Sequence, residues 1–174
     1  MQWGYRIIGK KQMVRRAIGF GQDSHKFLLS ADSEKRCIIA GLQFEEVPGF
    51  DADSDGDIVF HAICNAITSV THVPILGEIA VDLCHRKGQT DSRIYLGEAV
   101  KSLEGRMIEH IAISIEGKRP RLQGRMKEIR QSIASATFLR LDQVGASCTS
   151  GDGMTPFGKG EGMMCCCQLI VICR

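Results

Sequence analysis

The sequence has no long apolar run, no marked charge excess and no repeated or low-complexity segment. A membrane-spanning helix needs about 20 mostly apolar residues and a signal peptide needs a continuous apolar stretch, and neither pattern occurs. The 22 basic and 20 acidic residues leave a formal net charge of +2, which is too balanced to indicate nucleic-acid binding. We therefore expect a cytoplasmic protein with no membrane and no nucleic-acid partner.

The cysteines include no Cys-x-x-Cys pair, the spacing that is typical of many zinc and redox sites. Four of the eight lie in one apolar C-terminal run, namely Cys165, Cys166, Cys167 and Cys173. Neighbours on a strand point to opposite faces of a sheet and cannot pair with each other. We therefore interpret these cysteines as small buried apolar residues in a reducing cytosol, not as a disulfide framework.

The chain length of 174 residues suits one domain with a real core, and 44% apolar with 24% charged residues is ordinary globular composition. Residues 1–15 are basic, with Lys10, Lys11 and Arg15 close together. We interpret this stretch as an N-terminal extension, and we predict a single domain over residues 16–174.

Hydrophobic periodicity predicts a mixture of strands and helices. The predicted strands cover residues 16–21, 37–42, 110–115, 143–148 and 163–172, and the predicted helices cover 58–70, 92–104 and 125–136. Residues 22–25 are predicted as a polar turn and 45–56 as a loop, whereas 74–91 has no clear pattern. This order predicts an α+β fold in which helices pack on one face of a small mixed β-sheet.

Three side chains form a candidate metal site. Asp23 and His25 are two residues apart, so on an extended segment they point the same way and can reach one ion. His61, at the start of a predicted helix, is the third candidate ligand. Zinc accepts this mixture of carboxylate and imidazole and keeps a fourth position open in catalytic sites. From spacing alone, the alternative to a metal site is that the Asp-x-His pair occurs by chance and that His61 is an ordinary helical histidine.

Two longer motifs resemble those of one known family. Residues 18–27 read I-G-F-G-Q-D-S-H-K-F and residues 54–62 read S-D-G-D-I-V-F-H-A. Both resemble motifs of the 2-C-methyl-D-erythritol 2,4-cyclodiphosphate synthase family, of which the chain looks like a divergent member. The resemblance covers about residues 16–173. It implies a small α+β domain that assembles as a homotrimer, with active sites between neighbouring subunits.

The resemblance implies two metal ions. Asp23, His25 and His61 match the ligands of one Zn²⁺ per subunit. Asp152 matches an acid that helps to hold a second divalent ion, Mg²⁺ or Mn²⁺, together with the substrate. Zinc would orient the terminal phosphates as a Lewis acid, and the second ion would clamp the diphosphate oxygens.

The resemblance also implies a substrate-binding set. Its members are Ser24, Asp53, Ser54, Glu78, Ile79, Ala80, Gly117, Lys118, Pro120, Arg121, Leu122, Thr149, Ser150, Gly151 and Lys159. Within this set residues 117–122 would receive the cytosine, and residues 149–151 would line the diphosphate. Ser150 and Asp53 would stabilise the transition state.

The implied reaction cyclises 4-diphosphocytidyl-2-C-methyl-D-erythritol 2-phosphate. The 2-phosphate attacks the β-phosphorus of the substrate's own CDP group, forming the 2,4-cyclodiphosphate and releasing CMP, on the non-mevalonate route to isoprenoid precursors. Such a transfer asks the protein mainly to align groups and to neutralise charge. Two alternatives stay open: a trimeric zinc protein that binds CDP or isoprenoid diphosphates without turnover, and a hydrolase of another phosphate ester, which would need an activated water.

The sequence departs from the family pattern at several of these positions. Asp53 stands where most members carry a histidine that contacts the diphosphate, and Asp152 stands where glutamate is usual. Asn65 replaces a helical acid and Ala80 replaces a glycine. A carboxylate beside a polyanion costs about 1 kcal/mol per charge pair at 4 Å in water and more in a lower dielectric. We therefore expect Asp53 to point away from the diphosphate or to be screened by a cation.

Overall fold

A four-stranded mixed sheet lies at the centre of the structure, a computed structural model that describes residues 14–29 and 34–173. Its strands, in spatial order, are β1 (Arg15–Lys26), β6 (Gly162–Cys173), β4 (Met107–Glu116) and β5 (Val144–Thr149). β6 runs antiparallel to both of its neighbours, and β5 runs parallel to β4. Two further strands, β2 (Arg36–Ile39) and β3 (Leu42–Pro48), form a separate antiparallel hairpin. The predicted extension over residues 1–15 lies outside the described residues apart from Val14 and Arg15.

The helices of the described residues cover one face of this sheet. They are α1 (Ile58–Thr71), α2 (Ser92–Lys101), α3 (Met126–Thr137) and the short α4 (Pro156–Lys159). Two π-helical turns occupy the stretch that has no clear sequence pattern: Ile75–Ile79, which is interrupted by non-helical backbone angles at Leu76 and Gly77, and Asp82–Arg86. α1 packs on β1 and β6, α3 contacts β5, and α2 lies against α1 and α3. The predicted α+β class is confirmed, and in the part of the chain described no helix is long and apolar enough to cross a bilayer.

The first strand is longer than predicted. The polar turn predicted at residues 22–25 is wrong, because β6 pairs with β1 along its whole length, with Asp23 opposite Cys165 and His25 opposite Met163. Polar residues continue the strand here because one face of it lines a site and does not belong to the apolar core. Asp23 and His25 consequently share one face of β1.

The second predicted strand is divided by a turn. The prediction of one strand over residues 37–42 is wrong, because Ala40 and Gly41 turn the chain with φ values of +53° and +70°. Their backbone N–H groups donate to the buried carboxylate of Asp57 at 2.9 and 2.5 Å, which holds the turn against the start of α1. β3 then extends into the first part of the loop predicted over residues 45–56.

Two glycines of β1 allow α1 to lie directly on the sheet. A Cβ atom added at Gly19 would lie 2.3 Å from the carbonyl oxygen of Ala66, and one added at Gly21 would lie 2.2 Å from that of Ala62. No side chain larger than hydrogen fits between strand and helix at these two positions. The first turn of α1 is therefore brought close to Asp23 at the end of β1.

The apolar core lies between the sheet and the helices. Its sheet side consists of the buried side chains Ile111, Ile113, Ile115, Cys165, Cys167, Leu169 and Val171. All eight cysteines are unpaired, as the sequence predicts. Burial raises the pKa of Cys167 to about 12, so this thiol stays neutral and packs as an apolar group.

The other face of the sheet exposes large apolar side chains. Ile18 is 66% exposed and Phe20 is 59% exposed, and both lie on β1 with side chains on the face opposite Gly19 and Gly21. Large exposed apolar side chains grouped on one face are typical of an interaction surface.

Candidate metal centre

Asp23, His25 and His61 meet where the end of β1 lies beside the first turn of α1. Oδ2 of Asp23 is 3.1 Å from Nε2 of His25 and 2.9 Å from Nδ1 of His61. The two ring nitrogens are 3.4 Å apart, and all three side chains are mostly buried. The structure thus brings together the three side chains that the sequence motifs single out.

The three donor atoms fit a small divalent cation. Tetrahedral zinc with bonds of about 2.0–2.1 Å places its ligand atoms about 3.3–3.4 Å from each other, close to the separations found here. Within the described residues these side chains are the one group of three or more His, Cys, Asp or Glu close enough to share an ion. Two imidazoles and one carboxylate favour zinc over magnesium, which prefers oxygen ligands.

The charge of Asp23 suits a metal ligand. Burial raises the pKa of its carboxyl group, but the hydrogen bonds and charges of His25 and His61 together lower it further, so the pKa lies well below the usual range. Asp23 is therefore ionised near neutral pH and brings one negative charge to the three donors. The ionised carboxylate is the form that binds a cation.

The ring of His61 is oriented from its other side by Ser92. Oγ of Ser92 lies 2.8 Å from Nε2 of His61 and donates to the carboxylate of Asp55, which also accepts the backbone N–H of Ser92 at 3.1 Å. This arrangement favours a proton on Nε2 of His61 and leaves its Nδ1 with a lone pair directed at the site. Histidines that bind metals commonly donate their second N–H to a polar partner in this way.

The helix that carries His61 starts at a buried carboxylate. The side chain of Asp57 accepts the backbone N–H groups of Val59 at 3.0 Å and Phe60 at 3.2 Å, besides the two N–H groups of the β2–β3 turn. Burial and the nearby Asp55 raise the pKa of Asp57 to about 6, against the opposing effect of the amide donors. One side chain thus caps α1 and ties it to the hairpin.

The triad opens into a cavity of about 530 Å³. The predicted substrate residues in its wall are Asp53, Ser54 and Ala80. Oγ of Ser54 lies 3.5 Å from Nε2 of His61. Glu78 and Ile79 instead line a neighbouring cavity of about 770 Å³, and Ser24 lies on the face of β1 opposite to the triad.

Asp53 is accompanied by a histidine from another segment. Nε2 of His85, on the second π-helical turn, lies 3.5 Å from Oδ2 of Asp53, and both residues line the cavity. The Asp53 carboxylate thus lies in the cavity wall beside an imidazole.

The predicted cytosine loop and diphosphate segment form a second group at the carboxyl ends of β4 and β5. The backbone N–H of Gly117 donates to the carbonyl of Thr149 at 3.0 Å, and that of Lys118 donates to the carbonyl of Phe157 at 3.1 Å. The exposed basic side chains of this group are Lys118, Arg119, Arg121 and Lys159, whereas Pro120 and Leu122 are buried. Within one chain none of these residues lines the triad cavity.

Asp152 belongs to this second group. It is exposed on a short turn, where the Oγ of Ser150 donates to its carboxylate at 3.2 Å. The preceding Gly151 has φ +67° and packs so closely on Glu116 that an added Cβ atom would lie 2.3 Å from its carboxylate. Among the described residues, Asp152 does not belong to a group of three or more side chains that could bind one metal ion.

Several residues of the site are not predicted from the sequence motifs. They are Asp51, Cys84, His85, Ser92 and Tyr95, together with Asp55, which lies within the second motif but receives no role from it. The sequence carries one signal for them, the Asp91-Ser92 pair that opens α2. Asp91 caps that helix by accepting the backbone N–H of Arg93 at 2.8 Å. The contact of Ser92 with His61, however, forms only because α2 packs on α1.

Comparison with known proteins gives one consistent family. The sequence model of the YgbB family matches residues 16–172. Relatives from Chlamydia caviae and Chlamydia felis, both named 2-C-methyl-D-erythritol 2,4-cyclodiphosphate synthase, are each 54% identical to this chain over 98% of its length and 90% and 91% of their own.

Solved structures show the same fold. The 2C-methyl-D-erythritol 2,4-cyclodiphosphate synthase of Plasmodium vivax has a TM-score of 0.77 at 22% identity, over 92% of this chain and 99% of its own. IspF of Plasmodium falciparum in a CDP complex has a TM-score of 0.73 at 23% identity, over 90% and 96%. At these identities the likeness shows the fold and does not extend to individual residues.

Proposed function

Because the chain belongs to the YgbB family and is an enzyme of the 2-C-methyl-D-erythritol 2,4-cyclodiphosphate synthase type, a lyase of isoprenoid biosynthesis, we propose that it works with a divalent metal held by Asp23, His25 and His61. The substrate would be 4-diphosphocytidyl-2-C-methyl-D-erythritol 2-phosphate. The products would be the 2,4-cyclodiphosphate and CMP, formed on the non-mevalonate route.

The convergence of the triad is the observation that carries this proposal. An ionised carboxylate and two imidazole nitrogens lie 2.9–3.4 Å from each other at the wall of a cavity. A zinc ion bound there would act as a Lewis acid on phosphoryl oxygens. Because three protein ligands leave a fourth tetrahedral position open, the donor set suits a catalytic site better than a closed structural one.

The chain's own residues would align the reacting groups. A phosphate oxygen of the substrate forms a bond to the β-phosphorus while the bond from that phosphorus to the bridging oxygen of CMP breaks. The nucleophile is already ionised near neutral pH, so no general base is needed. Ser54 lies in the cavity wall beside His61, where its hydroxyl would donate to a phosphate oxygen and help to hold the in-line arrangement.

The second group of residues would bind the rest of the substrate. Residues 117–122 would receive the cytosine and residues 149–151 would line the diphosphate, with Lys159 as a further cation. Asp152 would help to hold Mg²⁺ or Mn²⁺ that arrives with the substrate, because its exposed carboxylate is the kind of ligand these ions prefer.

A homotrimer would join the two groups. Within one chain the second group lies outside the triad cavity, and in the proposed trimer the loops of one subunit would complete the cavity of another. The exposed apolar face of the sheet, with Ile18 and Phe20, supports an assembly that buries this face. A cytoplasmic location is also part of the proposal, and it is supported by eight unpaired cysteines.

The direct test is turnover of the proposed substrate. Purified protein incubated with the CDP-linked substrate and Mg²⁺ should release CMP and give the cyclic diphosphate, which ³¹P NMR distinguishes from an open-chain phosphate ester. Release of CMP with an open-chain product would instead indicate hydrolysis, and absence of CMP release from zinc-loaded protein would reject the proposed cyclisation.

One alternative function is that of a protein with the same fold that does not catalyse the cyclisation. Asp53 in the cavity wall and Asn65 in place of an acid motivate a protein that binds CDP or an isoprenoid diphosphate without turnover. Nδ2 of Asn65 donates to the carbonyl of Gln22 at 3.0 Å, so this residue still connects α1 to β1. CDP binding without product, together with a gain of turnover in Asp53→His, would favour the binding protein.

A further inference from the structure

His85 lies in the wall of the triad cavity, on the second π-helical turn. Its side chain is 58% exposed, and that of the neighbouring Asp53 is 80% exposed, with 3.5 Å between Nε2 of His85 and Oδ2 of Asp53. A ligand that fills the cavity therefore meets both side chains.

The turn that carries His85 is connected to the same loop at a second point. Sγ of Cys84 is 3.6 Å from the backbone carbonyl of Asp53 and acts as a weak donor to it. Two consecutive residues of the turn thus contact one residue of the loop. These contacts place His85 beside Asp53 in the cavity wall, with Nε2 facing the carboxylate.

The charges of the wall show what His85 contributes. The described lining residues include three carboxylates, three imidazoles and no lysine or arginine, while the ammonium of Lys35, outside this lining, donates to the carbonyl of Ala52 and interacts with Asp51 and Asp53. His25 and His61 are both directed at Asp23 in the triad, so His85 is the remaining imidazole. A phosphate that faced Asp53 alone would be repelled. The protonated form of a neighbouring imidazole offsets that charge and carries an N–H on each ring nitrogen, one for Asp53 and one for a phosphate oxygen.

We propose that His85 donates a hydrogen bond to a phosphate oxygen of the diphosphate ligand, and that Asp53 is the positioning residue that orients its ring. The inference rests on the proposed function for the identity of the ligand. It assigns the phosphate contact at this place to the π-helical turn, and it changes the role of Asp53 from substrate contact to support of His85.

Calorimetry and NMR titration with CDP and with cytidine test the contact. His85→Ala should weaken CDP binding about 10-fold or more, the loss expected for one charge-assisted hydrogen bond, and should leave cytidine binding within about 2-fold. His85→Gln, which keeps an N–H donor, should recover part of the loss. A general structural defect would weaken both ligands, and equal losses for CDP and cytidine would therefore overturn the proposal, as would unchanged CDP binding.

A matched control comes from another exposed histidine. His72 lies at the end of α1, outside the cavity wall, and asparagine tolerates its positive φ of 63°. His72→Asn should bind CDP like the wild type. A CDP loss as large as that of His85→Ala would show that removing any surface imidazole has this effect, which would overturn the proposal.

A double-mutant cycle tests the positioning role of Asp53. If Asp53 acts through His85, the effect of His85→Ala on CDP affinity should shrink to less than about 3-fold in an Asp53→Asn background. Effects that multiply would overturn that role. These binding results are independent of turnover. If His85→Ala weakens CDP binding as predicted but the wild-type protein forms no cyclic product, only the proposed function is refuted.

Discussion

The candidate ligands are held in place by two kinds of contact. Asp23 and His25 are oriented by the pairing of β1 with β6, so their directions follow from the backbone. His61 depends on side chains, since Ser92 contacts its outer nitrogen and Asp55 in turn accepts from Ser92. The metal affinity of such a site should therefore change when residues that orient His61, but do not themselves bind the metal, are substituted.

Removal of the Ser92 hydroxyl should weaken zinc binding without unfolding the chain. We expect Ser92→Ala to lower zinc affinity about 10–100-fold, because His61 loses the partner that fixes its tautomer and ring orientation. Competition with a chromogenic chelator measures this affinity. Ser102→Ala, at the end of the same helix with its hydroxyl bonded to the carbonyl of Ala99 at 2.7 Å, is the matched control and should bind zinc normally. Wild-type affinity in Ser92→Ala would contradict the role given to this hydroxyl.

At the scale of elements, the close contact of α1 with β1 determines whether the triad can form. Gly19 and Gly21 leave no room for side chains beneath the helix, and Asp57 fixes the helix start. The position of His61 relative to Asp23 is therefore a consequence of strand-to-helix packing. A change of one methyl group at this contact should affect both stability and the metal site.

Gly21→Ala should destabilise the fold by about 1–3 kcal/mol, the usual cost of an overpacked contact. The added Cβ atom would lie 2.2 Å from backbone atoms of α1, so the helix must move and His61 must move with it. Urea unfolding in the presence of a chelator, at fixed protein concentration, measures the change without the contribution of bound zinc.

Gly97→Ala is the matched control for this substitution. Gly97 lies within α2, and an added Cβ atom would have nothing within 4 Å. Because alanine favours helix over glycine by about 1 kcal/mol, this variant should be as stable as the wild type or slightly more stable. Wild-type stability in Gly21→Ala would show that the glycines do not set the helix position.

Local patterns in the sequence predict the three long helices and most strands, because each has a clear apolar periodicity. They miss the extension of β1 through Asp23 and His25, since that part of the strand lines a site and carries polar residues. They also miss the division of residues 37–42, which depends on hydrogen bonds from the turn to Asp57, a contact across 16 residues or more.

For the site, the triad is predictable because two short motifs carry all three residues. His85 and Ser92 are not, because their partners Asp53 and His61 are about 30 residues away in the sequence. The segment that carries His85 folds as π-helical turns, for which no simple periodicity exists. Packing of α2 on α1 creates the contact of Ser92 with His61, and a single sequence does not encode such packing in any local pattern.

At the scale of the whole molecule, one chain contains two separate sets of proposed binding residues. The triad and its cavity lie at the end of β1, and the basic loops lie at the ends of β4 and β5. The exposed sheet face offers a surface through which copies of the chain could associate. The proposed trimer connects these three observations.

Charging the exposed sheet face should prevent this assembly. Phe20→Glu places a carboxylate on the face and should convert a species of three times the chain mass of 19.1 kDa into monomers in sedimentation analysis. Phe138→Glu changes a side chain that is 85% exposed at the end of α3, away from that face, and should leave the assembly unchanged. A Phe20→Glu protein with the wild-type mass would contradict the proposed interface.

Mixing two inactive variants tests whether subunits share a site. His25→Ala removes the triad and Lys118→Ala with Arg121→Ala disables the basic loop, so each variant alone should be inactive. Co-folding them should restore part of the activity, because some sites then combine an intact triad with an intact loop. No recovery of CMP release from the mixture would indicate that each site is built within one chain.

The central claim, that Asp23, His25 and His61 bind a catalytic zinc ion, is tested most directly by metal analysis combined with CMP release. We predict one zinc per chain in the purified protein, loss of CMP release when a chelator removes it, and recovery when zinc is added back. His61→Ala should contain no zinc and release no CMP. Wild-type protein that releases CMP while free of zinc would contradict the claim.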